Sequence, residues 1–108
     1  MQANDYQEWT RTVAKYPPEQ GINYTILGLV GEAGEVADKY KKVIRDHGGV
    51  LDDAQEEALV KEVSDVAWYL ARLSDELGIT LEDLFSLNFE KLMDRKKRGV
   101  LQGNGDDR

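Results

Sequence analysis

The chain has 108 residues, 41% of them apolar, which suits one domain with a small core and is too short for two. Fourteen Lys and Arg against 21 Asp and Glu leave a formal charge of −7; this is the wrong sign for a general binder of nucleic acid or anionic membrane and the right one for holding cations. Cysteine is absent and histidine occurs once, at His47, so disulfides, thiolate metal sites, cysteine nucleophiles and histidine clusters are all excluded.

The spacing of Tyr6, Trp9, Val13 and Tyr16 predicts a short helix over 4–15, with Asn4 or Asp5 as its cap. Pro17, Pro18 and Gly21 then impose a turn, because two donors are missing and the glycine frees the backbone. A long helical pattern follows over 23–46, with Leu29, Val36, Tyr40 and Val43 on one row. The sequence His47-Gly48-Gly49 ends it and offers a glycine for a left-handed cap. Asp52 or Asp53 caps the next helix, which runs to about residue 77 on the rows of Leu59, Val63, Val66, Leu70 and Leu73. Gly78 stops it. Thr80-Leu81-Glu82-Asp83 reads as a capping box for a last helix that carries Leu81, Leu84, Phe85 and Leu92 and fades into Arg95, Lys96, Lys97 and Arg98. Residues 99–108 hold three glycines and no periodicity, as expected of a tail or a flap ordered by a ligand.

No segment alternates as a strand does. The expected fold is all-α, an antiparallel bundle of three main helices plus an N-terminal one, with one domain over 1–98 and the glycine-rich tail over 99–108. A helix of 24 residues is about 36 Å long, more than a compact domain of this size covers, so a homodimer or a dimer of dimers (a homotetramer) is expected. No apolar run approaches a membrane span. The polar, acidic start does not read as a secretion signal, and the expected location is cytoplasmic.

The most informative stretch is Gly28-Leu29-Val30-Gly31-Glu32-Ala33-Gly34-Glu35-Val36. Glu32 and Glu35 are three apart and share one helix face, between Leu29 and Val36. Gly31 and Gly34 each cost a helix interior up to about 1 kcal/mol relative to alanine, which close approach of another helix or a ligand would offset. The next helix repeats the device with Glu62 and Asp65, flanked by Leu59, Val66 and Tyr69. An acidic pair three apart is commonly a solvated face. Two such pairs, each inside an apolar row on neighbouring helices, favour convergence instead. Four carboxylates at close quarters repel one another until hard cations neutralise them; all-oxygen ligands suit Mg2+, with Mn2+ as a substitute.

This arrangement resembles the MazG-like family of all-α nucleoside triphosphate pyrophosphohydrolases. The family pattern E-x-x-E, an insert, then E-x-x-D reads here as Glu32-Ala33-Gly34-Glu35 and Glu62-Val63-Ser64-Asp65, with 26 residues between. The likeness extends to Lys41-Lys42-Val43-Ile44-Arg45-Asp46, to Val66-Ala67-Trp68-Tyr69-Leu70, and to the fourth-helix segment from Asn88 through Lys91 to Arg95. The close of the chain, from Arg98 to Arg108, is similar to that of a short single-domain subgroup. The resemblance implies hydrolysis of an NTP or dNTP to the monophosphate and pyrophosphate with Mg2+. It implies Glu32, Glu35, Glu62 and Asp65 as metal ligands and catalytic residues, with Glu35 as the alternative orienter of the attacking water. Two metal ions would balance four carboxylates.

Lys42 and Arg45 are then candidates for phosphate contacts, or a basic helix end that complements the helix dipole. Asn88, Lys91 and Arg95 share a face and are candidates for phosphate binding. Tyr69, and Tyr16 or Trp9, can stack on a base or pack in the core, Trp68 belongs to core or interface, and His47 reads as a loop residue. The main alternatives are the same fold acting on dUTP, dCTP or phosphoribosyl-ATP, and a non-catalytic helical dimerisation module. A phosphotransfer bundle needs a histidine on a helix face, which His47 between the helices does not supply.

Overall fold

The structure, a computed structural model, describes residues 1–108 and is all-helical. Helix α1 spans Ala3–Thr10 and runs into a 3-10 turn over Arg11–Val13; a second 3-10 turn, Pro18–Gln20, leads into α2, Gly21–His47. Helix α3 spans Asp53–Glu76 and α4 spans Leu81–Arg98.

Helices α2 and α3 form the scaffold. Gly48 caps α2 in the left-handed region at φ 60° and Gly49 follows at φ 78°, so the chain reverses within five residues. Asp52 then starts α3 with a reciprocal box. Its carboxylate accepts from the Gln55 backbone N–H at 2.8 Å, and the Gln55 side chain accepts from the Asp52 N–H at 3.0 Å. The two helices run antiparallel: position 21 of α2 lies against position 76 of α3, 28 against 69, and 39 against 62.

Helix α1 is fastened to the start of α4 by side chains that close its open backbone donors. Gln7 donates to the Ile79 carbonyl at 2.9 Å and accepts from the Leu81 N–H at 2.7 Å, while Asn4 accepts from the Glu82 N–H at 3.0 Å. Asn4 therefore serves α4 rather than capping its own helix, whose N-cap is Gln2 without a side-chain bond. At Thr80 only half of the expected box forms: its hydroxyl accepts from the Asp83 N–H at 3.1 Å, and no return bond is made. Aspartate is one methylene shorter than the glutamate such a box ordinarily uses. Helix α1 stops at Thr10 instead of reaching residue 15, and His47 is the last residue of α2 rather than a loop residue.

A polar knot ties this layer to α3. The Arg72 side chain is only 6% exposed. It donates to Thr10 Oγ1 at 3.3 Å, to Tyr16 Oη at 2.9 Å and to Asp75 at 2.9 Å, and Asp75 in turn pairs with Arg11 at 2.8 Å.

The apolar core is small. Val43, Ala71 and Leu81 are the buried apolar residues, whereas Leu27, Val30, Val60, Leu87 and Phe89 are each more than half exposed. The radius of gyration is 16.9 Å, against about 13 Å for a compact chain of this length. Helix α4 leaves the hairpin at its N-terminal end and lines an apolar groove of about 710 Å³ with Leu84, Phe85, Leu92 and Met93.

Candidate metal centre

Glu32 lies in the middle of α2, and Glu62 and Asp65 lie in the middle of α3. The antiparallel register brings them together: one carboxylate oxygen from each lies within 4.8 Å of the others. Glu32 and Glu62 are half-buried and Asp65 is exposed, so the group forms a cup at the surface of the helix pair. Burial raises the Glu32 carboxyl above its ordinary range, and the charges of Asp65, Glu62 and Glu35 raise it further. Three hard oxygen donors in mutual reach, with one proton affinity raised by burial and then by repulsion, fit a divalent cation such as Mg2+ or Mn2+.

Glu35 is exposed and lies outside the group of three, although its charge is felt at Glu32 one turn away. Lys39, one further turn along α2, pairs with Glu62 Oε1 at 3.4 Å. Sequence reasoning passed over Lys39; its signal was the helical spacing from Glu35, which puts a cation on the acidic face.

The aromatic surroundings come from four segments, α1, the loop after it, α2 and α3. The Tyr69 ring lies directly on Gly28, where any Cβ would overlap it. Tyr24 and Tyr69 ring centroids are 6.3 Å apart, Tyr16 stacks on Tyr24 at 4.9 Å, and Trp68 meets Tyr69 edge-on at 4.9 Å. Burial raises the Tyr69 hydroxyl, with Tyr24, Glu32 and Asp65 acting in the same direction. Tyr6 of α1, also missed as a site neighbour, is raised by burial and by the Asp65 charge. Trp9 is about half exposed and lies 6.2 Å from Tyr6.

The other candidates are engaged elsewhere. Lys42 pairs with Asp38 at 2.9 Å; Lys42 and Lys41 together pull the Asp38 carboxyl down to about 2. Arg45 makes a two-pronged pair with its neighbour Asp46, both bonds at 2.8 Å. On α4, Lys91 Nζ is 2.8 Å from Asp106 of the tail, and Arg95 Nη2 donates to both the backbone and the side chain of that same residue. Asn88 lines the apolar groove beside Lys91. The close approach expected at Gly31 and Gly34 is absent within the chain, where both face open space; it falls on Gly28 instead.

The profile of the MazG nucleotide pyrophosphohydrolase domain matches residues 20–100, a span that includes the three carboxylates and α4. The Gene 37 protein of Mycobacterium phage L5 is 41% identical over an alignment of 114 residues covering the whole of both chains. No solved structure matches the chain significantly. The chain belongs to the MazG nucleotide pyrophosphohydrolase family.

Proposed function

We propose that the protein is a Mg2+-dependent nucleoside triphosphate pyrophosphohydrolase that converts an NTP or dNTP and water to the monophosphate and pyrophosphate. The observation behind this reading is the convergence of Glu32, Glu62 and Asp65 from two antiparallel helices. Those three residues hold the metal, and Glu35 completes the acidic set from one turn away. When bound, the metal neutralises phosphate charge and lends acidity to water.

The chain's own residues do the rest. The Glu35 carboxylate orients the attacking water and accepts its proton. The water oxygen bonds to the α-phosphorus, the α–β bridging bond breaks, and its electron pair leaves on pyrophosphate. Cationic side chains offset the charge that develops on that leaving group. Lys91 and Arg95, with Asn88, are the first choice for this role. Lys42 and Arg45 are a second set, now spent on Asp38 and Asp46. Tyr69 offers a ring edge beside Glu32 for the base or sugar.

Two copies make the working unit. The exposed apolar surface of Leu27, Val30 and Phe89, together with open space at Gly31 and Gly34, supports this pairing. No helix is long and apolar enough to cross a membrane, and clearance of surplus nucleotides in the cytoplasm is the role that fits. Incubation of the full chain and Mg2+ with a panel of nucleoside triphosphates tests the reaction. Pyrophosphate and monophosphate are expected; release of orthophosphate, or no product from any nucleotide, overturns the reading.

A further inference from the structure

Residues 99–108 are folded against α4. Gly99 turns the chain at φ 70°, and the Val100 N–H returns to the Arg95 carbonyl at 2.9 Å. Arg108 then staples the tail into a loop by donating to the carbonyls of Val100 at 3.1 Å, Leu101 at 3.0 Å and Gly105 at 2.7 Å. This loop delivers Asp106 to Lys91 and Arg95, which lie one helical turn apart.

The partners are unequal. The Arg95 side chain is 7% exposed on a regular helix, whereas the Asp106 carboxylate is 77% exposed on a loop that contains left-handed glycines at 103 and 105. A guanidinium so covered needs an anion, and this one takes Asp106 through Nη2 alone instead of through its two-pronged fork. Arg95 is held in place, Lys91 stands beside it on the same helix face, and the anion is the replaceable member.

We propose that Lys91 and Arg95 form a phosphate-binding pair that the chain fills with its own Asp106, and that the phosphoryl oxyanions of a di- or triphosphate displace the tail. This rests on the pyrophosphohydrolase reading but reverses the role expected of a flap: the loop competes with the ligand instead of closing over it. The apparent affinity for a polyphosphate is then lowered by the fraction of molecules whose tail is docked.

The test uses the full chain and Asp106→Asn, which keeps the size and the backbone contact while removing the charge. Calorimetry with inorganic tripolyphosphate is expected to give binding about fivefold or more tighter in D106N, since no internal anion competes. Hydrogen exchange of amides 99–108 is expected to accelerate in the wild type when tripolyphosphate is added. The same measurement with pyrophosphate and with a non-hydrolysable nucleoside triphosphate identifies the anion: release by pyrophosphate makes the product a competitor, and release by the nucleotide alone makes the substrate the displacing anion. Unchanged or weaker binding by D106N, or slower exchange of the tail with every anion, overturns the proposal. Neither readout needs turnover, so failure of the tail to respond to the anion is told apart from failure of the chain to hydrolyse a nucleotide.

Discussion

Tyr69 of α3 lays its ring on the backbone of Gly28 in α2, one helical turn before Glu32 and one after Asp65. The contact sets the spacing of the two helices where the carboxylates meet. Gly28→Ala gains about 1 kcal/mol of helix propensity, but the added methyl overlaps the ring and costs about 1–3 kcal/mol in displaced packing. The net expectation is a destabilised chain with a wider carboxylate group. Chemical denaturation together with Mg2+ titration checks it; a Gly28→Ala variant as stable as wild type with unchanged Mg2+ affinity would remove this contact from the account.

The acidic group should be needed for chemistry rather than for folding. Glu62→Gln and Asp65→Asn are each expected to reduce turnover by roughly 10²–10³-fold, the scale on which a single electrostatic contact to a transition state acts. Far-ultraviolet circular dichroism should stay unchanged. Wild-type kcat in either variant would take that residue out of the site.

Arg72 is the reverse case, a residue needed for folding. Its guanidinium holds Thr10, Tyr16 and Asp75 together in the layer between α1 and α3. Arg72→Ala leaves Glu76 without its buried cation and Asp75 with Arg11 alone, and is expected to cost about 3 kcal/mol in urea unfolding. Arg72→Lys should rescue little, because an ammonium has no planar fork to share among four partners.

The same knot sets an acid limit. Arg11, and then Arg72, hold the Asp75 carboxyl below its ordinary value of 3.8. A carboxylate depressed in the folded state contributes stability that is complete above its ordinary value and is lost as pH falls through the folded one. The stability difference between wild type and Asp75→Asn should therefore be full at pH 6 and shrink steadily below pH about 4. A difference independent of pH would show that the charge of Asp75 is immaterial.

Much of this molecule was legible in its sequence, and the reasons are local. Asp52 with Gln55, Gly48 and Gly99 fix helix ends through short-range hydrogen bonds and backbone freedom, and each marks an end where the pattern placed one. The convergence of three of the four i, i+3 carboxylates was legible because antiparallel packing is the natural outcome of a short helix connection, and the register brings Glu32 to Glu62 and Asp65 while Glu35 stays outside the group. What the sequence concealed depended on distant partners. Asn4 looks like a cap for its own helix and instead serves α4, 78 residues away. Arg72 reads as one more charged residue on an amphipathic helix, yet it is buried because Thr10 and Tyr16 fold over it. The engagement of Lys91 and Arg95 by Asp106 could not be read from a glycine-rich tail without periodicity.

Thermal unfolding of the wild type and Glu62→Gln across Mg2+ concentrations, at constant ionic strength, bears most directly on the convergence of Glu32, Glu62 and Asp65 as a metal-holding group. A cation bound by the folded chain stabilises it by about 2.7 kcal/mol at one hundred times its dissociation constant. The midpoint of the wild type should climb with the logarithm of Mg2+ concentration, and that of the variant should climb far less. Equal shifts in the two proteins, or a wild-type shift reproduced by monovalent salt, would contradict the account.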